Sequence, residues 1–140
     1  MPIEDLARTD VITASPDEAI RTVAQRMDEE SIGSVVIEEE ATPVGIVTDR
    51  DLTVRVIANG TESTDSPVAS VMTNNPTTIE LGSGFYAAME QMRNHGVRRL
   101  PICENGELVG IITADDITEL LADEQQQVAD VLRTQRPPYY

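Results

Sequence analysis

The chain has 140 residues, of which 25 are Asp or Glu and 10 are basic, so it carries a formal charge of −15. A field of that sign repels phosphate backbones and anionic lipid, which argues against nucleic acid or a membrane surface as a partner. One cysteine, Cys103, and one histidine, His95, leave no internal disulfide and no zinc or iron–sulfur cluster to expect, and a single domain of this size can bury roughly 68–70% of its unfolded surface without them.

All ten basic residues are arginine, and the only aromatics are one Phe and three Tyr. Together with the acidic excess this points to adaptation to high salt, where a Debye length of about 3 Å near 1 M tames self-repulsion. Met1-Pro2-Ile3-Glu4-Asp5 lacks the basic and apolar regions of a signal peptide, and apolar runs stay short. A soluble cytoplasmic protein is expected.

Shifted by 65 positions, the chain matches itself without a gap: Pro2 falls on Pro67, Thr13 on Thr78, Met27 on Met92, Ile37 on Ile102, and Val44-Gly45-Ile46 on Val109-Gly110-Ile111. Two copies, 2–66 and 67–131, are expected to pack as one domain about a pseudo-two-fold axis. In chain order, each begins with a short helical turn, at Pro2–Leu6 and at Ser66–Met72. An extended stretch follows, Val11–Thr13 or Thr77–Ile79. A helix then opens with Ser15-Pro16-Asp17-Glu18, read as a capping box with Pro at the first helical position, and carries Ala19, Ile20, Val23, Ala24 and Met27. Its counterpart carries Phe85, Ala88, Met89 and Met92 and stops at Gly96.

Hairpins follow, Ser34–Ile37 with Pro43–Val47 and Arg99–Cys103 with Leu108–Ile112, the second turning on Asn105-Gly106. Second helices run from Arg50 to Asn59, with Gly60 as a stop, and from Asp115 to Ala122. The fold class is α/β (α+β), β-α-β-β-α twice. After residue 122, Asp123–Leu132 can prolong the last helix, with Ile117, Leu120, Leu121, Val128, Val131 and Leu132 as a stripe fit for a partner, and 132–140 reads as a disordered tail. Pro137-Pro138-Tyr139-Tyr140 matches a short Pro-Pro-x-Tyr pattern.

The best-repeated element is Gly-h-h-Thr-x-x-Asp, Gly45–Asp51 and Gly110–Asp116, where a strand becomes a helix. Thr48 and Thr113 can offer hydroxyls beside unpaired N–H groups of the first turn, a receptor for phosphate oxygens. Asp51 and Asp116, three residues on, can accept two hydrogen bonds, which suits a ribose diol. The alternative is a plain N-cap with a first-turn acid, worth roughly 0.5–2 kcal/mol without any ligand.

The repeat, Val71-Met72-Thr73 before Pro76, Val97-Arg98-Arg99-Leu100-Pro101-Ile102 and the two junctions together resemble a tandem pair of CBS domains, the Bateman module, over about residues 2–122. The resemblance implies a regulatory module that binds AMP, ADP, ATP or S-adenosylmethionine between its repeats and pairs into homodimers. It makes Asp51 and Asp116 ribose ligands, with Thr48 and Thr113 beside phosphate or ribose. Thr13 and Thr78 then mark the base pocket, and Arg98 and Arg99 are phosphate donors. The first copy departs, with Gly33 and Ser34 at the aligned places. The expectation is a tighter phosphate site in the cleft of Thr48 and Asp51, reached by both arginines with Arg50 as a third donor, and a less charged ligand, or none, beside Thr113 and Asp116.

His95 reads as a helix-end cation, Cys103 as a small buried hydrophobe, and Glu38-Glu39-Glu40 as a solvated hairpin tip. Asp115-Asp116 is weak ground for magnesium. No nucleophile has an identifiable base, so no enzyme is expected. A ligand-independent dimerisation or scaffold module is the alternative to nucleotide sensing. The regulated target is not legible in the chain.

Overall fold

The computed structural model describes residues 2–60 and 62–136. In the first repeat, β1 (Thr13–Ala14) runs parallel to β2 (Ser34–Glu39), which pairs antiparallel with β3 (Thr42–Thr48). In the second, β5 (Ile79–Glu80), β6 (Arg99–Glu104) and β7 (Glu107–Thr113) repeat that order. Even the irregularities match, with register shifts at Ile37/Glu38 and at Ile102/Cys103. Both hairpins turn through two left-handed residues, Asn105 and Gly106 in the second and Glu40 and Ala41 in the first. Asn-Gly suits that twist and signals it in sequence, whereas Glu-Ala gives no such signal.

The hairpins are packed by α1 (Ile20–Glu30), which buries Ile20, Val23 and Met27, and by α3 (Phe85–His95), which buries Ala88 and Met92. α3 ends at left-handed Gly96, as its glycine predicts. The expected opening of α1 at Ser15 is not what forms. Glu18 does accept the Ser15 N–H at 2.7 Å, half of a capping box, but Ala19 is extended and the helix begins at Ile20. The cause lies far away in sequence. The Glu18 carbonyl accepts the Val68 N–H at 2.8 Å, and the Ile20 N–H reaches the Ser66 carbonyl at 3.0 Å, so this backbone is committed to a second chain segment.

That segment reveals how the repeats interlock. The short turn Val68–Ser70 places Val68 and Val71 in the core with Val23, Val35, Ile37 and Val47, in the first repeat. β4 (Thr73–Asn74) then joins β3 as a fourth strand. Reciprocally, the turn Ile3–Asp5 puts Ile3 in the core of Leu100, Ile102 and Ile112, in the second repeat, and Arg8 bridges Ile111. Each repeat therefore lends its opening turn to the other.

Beyond the hairpins, α2 (Asp49–Asp51) continues as a π-helix, Leu52–Ala58, before left-handed Gly60. Its counterpart α4 (Ala114–Thr134) is one continuous α-helix. It runs to Thr134, so residues 132–134 are helical where a tail was expected, and the Pro-Pro-x-Tyr match lies outside the described residues. Ile117 is buried on α4, whereas Leu121, Val128, Val131 and Leu132 are exposed. Among the described residues no helix is long and apolar enough to cross a membrane.

Candidate functional site

Both Gly-h-h-Thr-x-x-Asp junctions fold into reciprocal caps. The Thr48 hydroxyl accepts the Asp51 N–H at 3.1 Å while Asp51 Oδ2 accepts the Thr48 N–H at 2.9 Å; Thr113 and Asp116 do the same at 3.1 and 3.0 Å. Each cap consumes one carboxylate oxygen and leaves Oδ1 for something else. The capping role is thus real in both copies, and in each it leaves Oδ1 outside the cap.

What meets Oδ1 differs. Asp116 is only 8% exposed, and its Oδ1 accepts both Nε and Nη2 of Arg8, at 3.1 and 2.7 Å. The hydrogen bond, and then the charge, of Asp116 push the Arg8 pKa up. Asp51 is 19% exposed and has a looser neighbour, Arg55 Nη2 at 3.7 Å. Arg55 spends its stronger bonds on the Val71 carbonyl, at 2.8 Å, and the Thr73 hydroxyl, at 3.3 Å.

A cavity of about 390 Å³ opens between the repeats on the Thr113 side. Val11, Ile12 and Ser34 of the first repeat line one part of it, and Arg99, Ile111 and Thr113 of the second line another. Arg8 also lines it and stands between Asp116 and the open space. Arg99 is half-buried and, among the described residues, has no ion-pair partner. Its Nη2 lies 3.6 Å from the point where a side chain on Gly33 would begin, and an Asp49 carboxylate oxygen lies 3.4 Å from that point. Both are ordinary contact distances, so Arg99 and Asp49 flank Gly33 without crowding it.

The arrangement groups the residues differently from the expected division between the clefts. Arg99 faces the Thr113 cavity, whereas Thr48, Arg50 and Asp51 lie outside it. Arg98 is exposed and pairs with Asp115 at 3.2 Å. The Thr13 hydroxyl donates to Glu38 at 3.2 Å, and it is the preceding Val11 and Ile12 that line the cavity. Thr78 is exposed and lies near Cys103, whose thiol pKa burial pushes up. Of the expected residues the cavity thus gathers Ser34, Arg99 and Thr113 directly and Asp116 through Arg8.

Arg8 and Arg55 escape a reading based on matches, because they lie where the copies disagree. Arg8 aligns with Thr73, and Arg55 with Leu120. Unmatched charges beside a matched motif were the available signal. Among the described residues no group of three or more His, Cys, Asp or Glu is placed to hold a metal.

Two interlocked β-α-β-β-α repeats with a polar cleft at their seam define the class of fold, a tandem pair of small α/β domains. The CBS domain profile matches residues 3–57 and 68–123, and the chain belongs to that family, with two CBS domains. It is 39% identical over 120 residues to an uncharacterized protein of Methanopyrus kandleri, covering 84% of this chain and 61% of that one. It is 31% identical over 115 residues to a CBS domain-containing protein of Bacillus subtilis, covering 82% and 81%. A CBS domain protein of Pyrobaculum aerophilum solved with AMP superimposes with a TM-score of 0.76 at 27% identity, over 83% of this chain and 89% of that one.

Proposed function

We propose that this chain is a regulatory module that binds an adenosine nucleotide in the Thr113 cleft and reports occupancy through the relative setting of its repeats or of a homodimer. The carrying observation is the half-buried Arg99, without an ion-pair partner among the described residues, in a cavity between repeats beside the capped N-terminus of α4. A phosphate suits that guanidinium, and Val11 and Ile12 offer backbone groups and apolar surface to a base. The likeness to an AMP complex supports the same ligand class. Arg8 and Arg99 share the lining with Asp10, Glu30 and Asp115, so the cavity has no cationic excess for a triphosphate. AMP fits better than ADP or ATP, and the carboxylates leave S-adenosylmethionine, with its sulfonium and amine, as the second choice. The module acts without catalysis, in a cytoplasm of high salt.

The exposed Leu121, Val128, Val131 and Leu132 of α4 favour a second reading, a dimerisation or scaffold module that needs no ligand. Calorimetry with AMP, ATP and S-adenosylmethionine separates the two. AMP should bind, Arg99→Ala should weaken it by about tenfold or more, and Asp51→Ala should leave it unchanged. A loss on Asp51→Ala alone would move the ligand to the other cleft. No binding by any of the three would leave the scaffold reading.

A further inference from the structure

Asp116 has one oxygen left after capping α4, and Arg8 holds it with two hydrogen bonds. A sugar diol that engages both oxygens of that carboxylate must therefore take Oδ1 from a guanidinium. Losing a charged partner without replacement is expensive at a site so little exposed, and a neutral nucleoside brings no replacement. A nucleoside phosphate does, because its anion enters the same cavity that Arg8 lines.

The side chain of Arg8 is free to make that exchange while its backbone stays put. Arg8 and Ile111 trade both backbone hydrogen bonds at 3.0 Å, yet the side chain is 60% exposed. Asp10, which also lines the cavity, and Glu119 add weaker attractions to the guanidinium. At the pseudo-equivalent place stands Thr73, which cannot do this, so the device belongs to one cleft.

We propose that Arg8 determines the specificity of the Thr113 cleft: it covers Asp116 in the empty site, and a phosphate-bearing ligand draws it away, so nucleotide is admitted over nucleoside. This rests on the adenosine reading of the cleft and adds to it a selection for the anion by a residue just after the opening turn.

The test is equilibrium binding of AMP and adenosine to the full chain, comparing the native protein with Arg8→Gln, which keeps a hydrogen bond to Asp116 without the charge, and with Arg8→Ala. Adenosine should bind about tenfold more tightly to the variants while AMP gains nothing, so the preference for AMP shrinks about tenfold or more. AMP binding with an unchanged preference in both variants would overturn the role of Arg8 and leave the adenosine reading intact. Equal gains for AMP and adenosine would make Arg8 a plain plug, which also overturns it. If neither ligand binds any of the three proteins, the adenosine reading itself falls and this proposal with it. Thermal unfolding of each variant, run alongside, identifies one that has lost its fold, and the other then carries the comparison.

Discussion

Gly110 shows how one missing side chain positions a charged residue elsewhere. A Cβ there would lie 3.0 Å from the Arg8 carbonyl oxygen, a backbone atom held by its bonds to Ile111. Gly45, its repeat mate, faces the thioether of Met72 instead, which can bend aside. Gly110→Ala should therefore destabilise by about 1–3 kcal/mol and loosen the Arg8–Ile111 bridge, with Gly45→Ala milder. Urea denaturation checks the first, and faster amide exchange at Arg8 and Ile111 checks the second. An exchange pattern like the native one would show that the strand tolerates the methyl. The repeated Val-Gly-Ile triplet is plain in the sequence, but its cause is not, because the atoms that demand the glycine come from residue 8. The same distance hides the partner of Asp116. A local motif announces the cap, whereas only the fold shows which arginine reaches its second oxygen.

At the scale of elements, the exchange of opening turns makes a sequence repeat and a packing unit two different things. Ile3 is fully buried among Leu100, Ile102 and Ile112, almost a hundred residues later. Removing its side chain opens a cavity in the second core, not in the one its own repeat builds. Ile3→Ala should lower stability by about 2–5 kcal/mol, and protection should fall first at β6 and β7 rather than at β2 and β3. Amide exchange resolved along the chain measures this, and losses confined to the first repeat would contradict the interlock. Strand and helix order were legible because period-2 and period-3.6 patterns are local, and the Asn105-Gly106 turn is as explicit as turns become. The start of α1 was not. Ser15 through Glu18 satisfies a capping pattern, yet the segment from Ser66 to Val68 claims the neighbouring backbone and holds Ala19 extended. The orientation of the clefts was hidden for the same reason, since assigning Arg99 to Thr113 rather than Thr48 requires knowing which repeat faces which.

Over the whole molecule, a charge of −15 on 140 residues sets repulsion against packing, and the local ion pairs do little to offset it. Arg21–Asp65, Arg98–Asp115 and Arg133–Asp130 join exposed side chains and contribute weakly. Among the described residues the more sheltered pairs are Arg8–Asp116, with its carboxylate buried, the half-buried Arg26–Glu18 and the longer Arg55–Asp51 contact. Salt acts on these two populations in opposite senses. It weakens exposed attractions, already small, and it screens the repulsion among the unpaired acids, which is the larger quantity when acidic residues outnumber basic ones 25 to 10. Stability should therefore rise with KCl. Between about 0.01 and 1 M the Debye length falls from roughly 30 to 3 Å, so most of the gain should come in that range. A rise in Tm of about 5 °C or more is expected, given that 1 kcal/mol moves a domain of this size by roughly 3–5 °C. Sulfate, which also strengthens apolar burial, should keep raising Tm above 1 M where KCl levels off. A Tm independent of KCl would mean that the acidic surface is already neutralised within the fold, and the high-salt reading of the composition would fall.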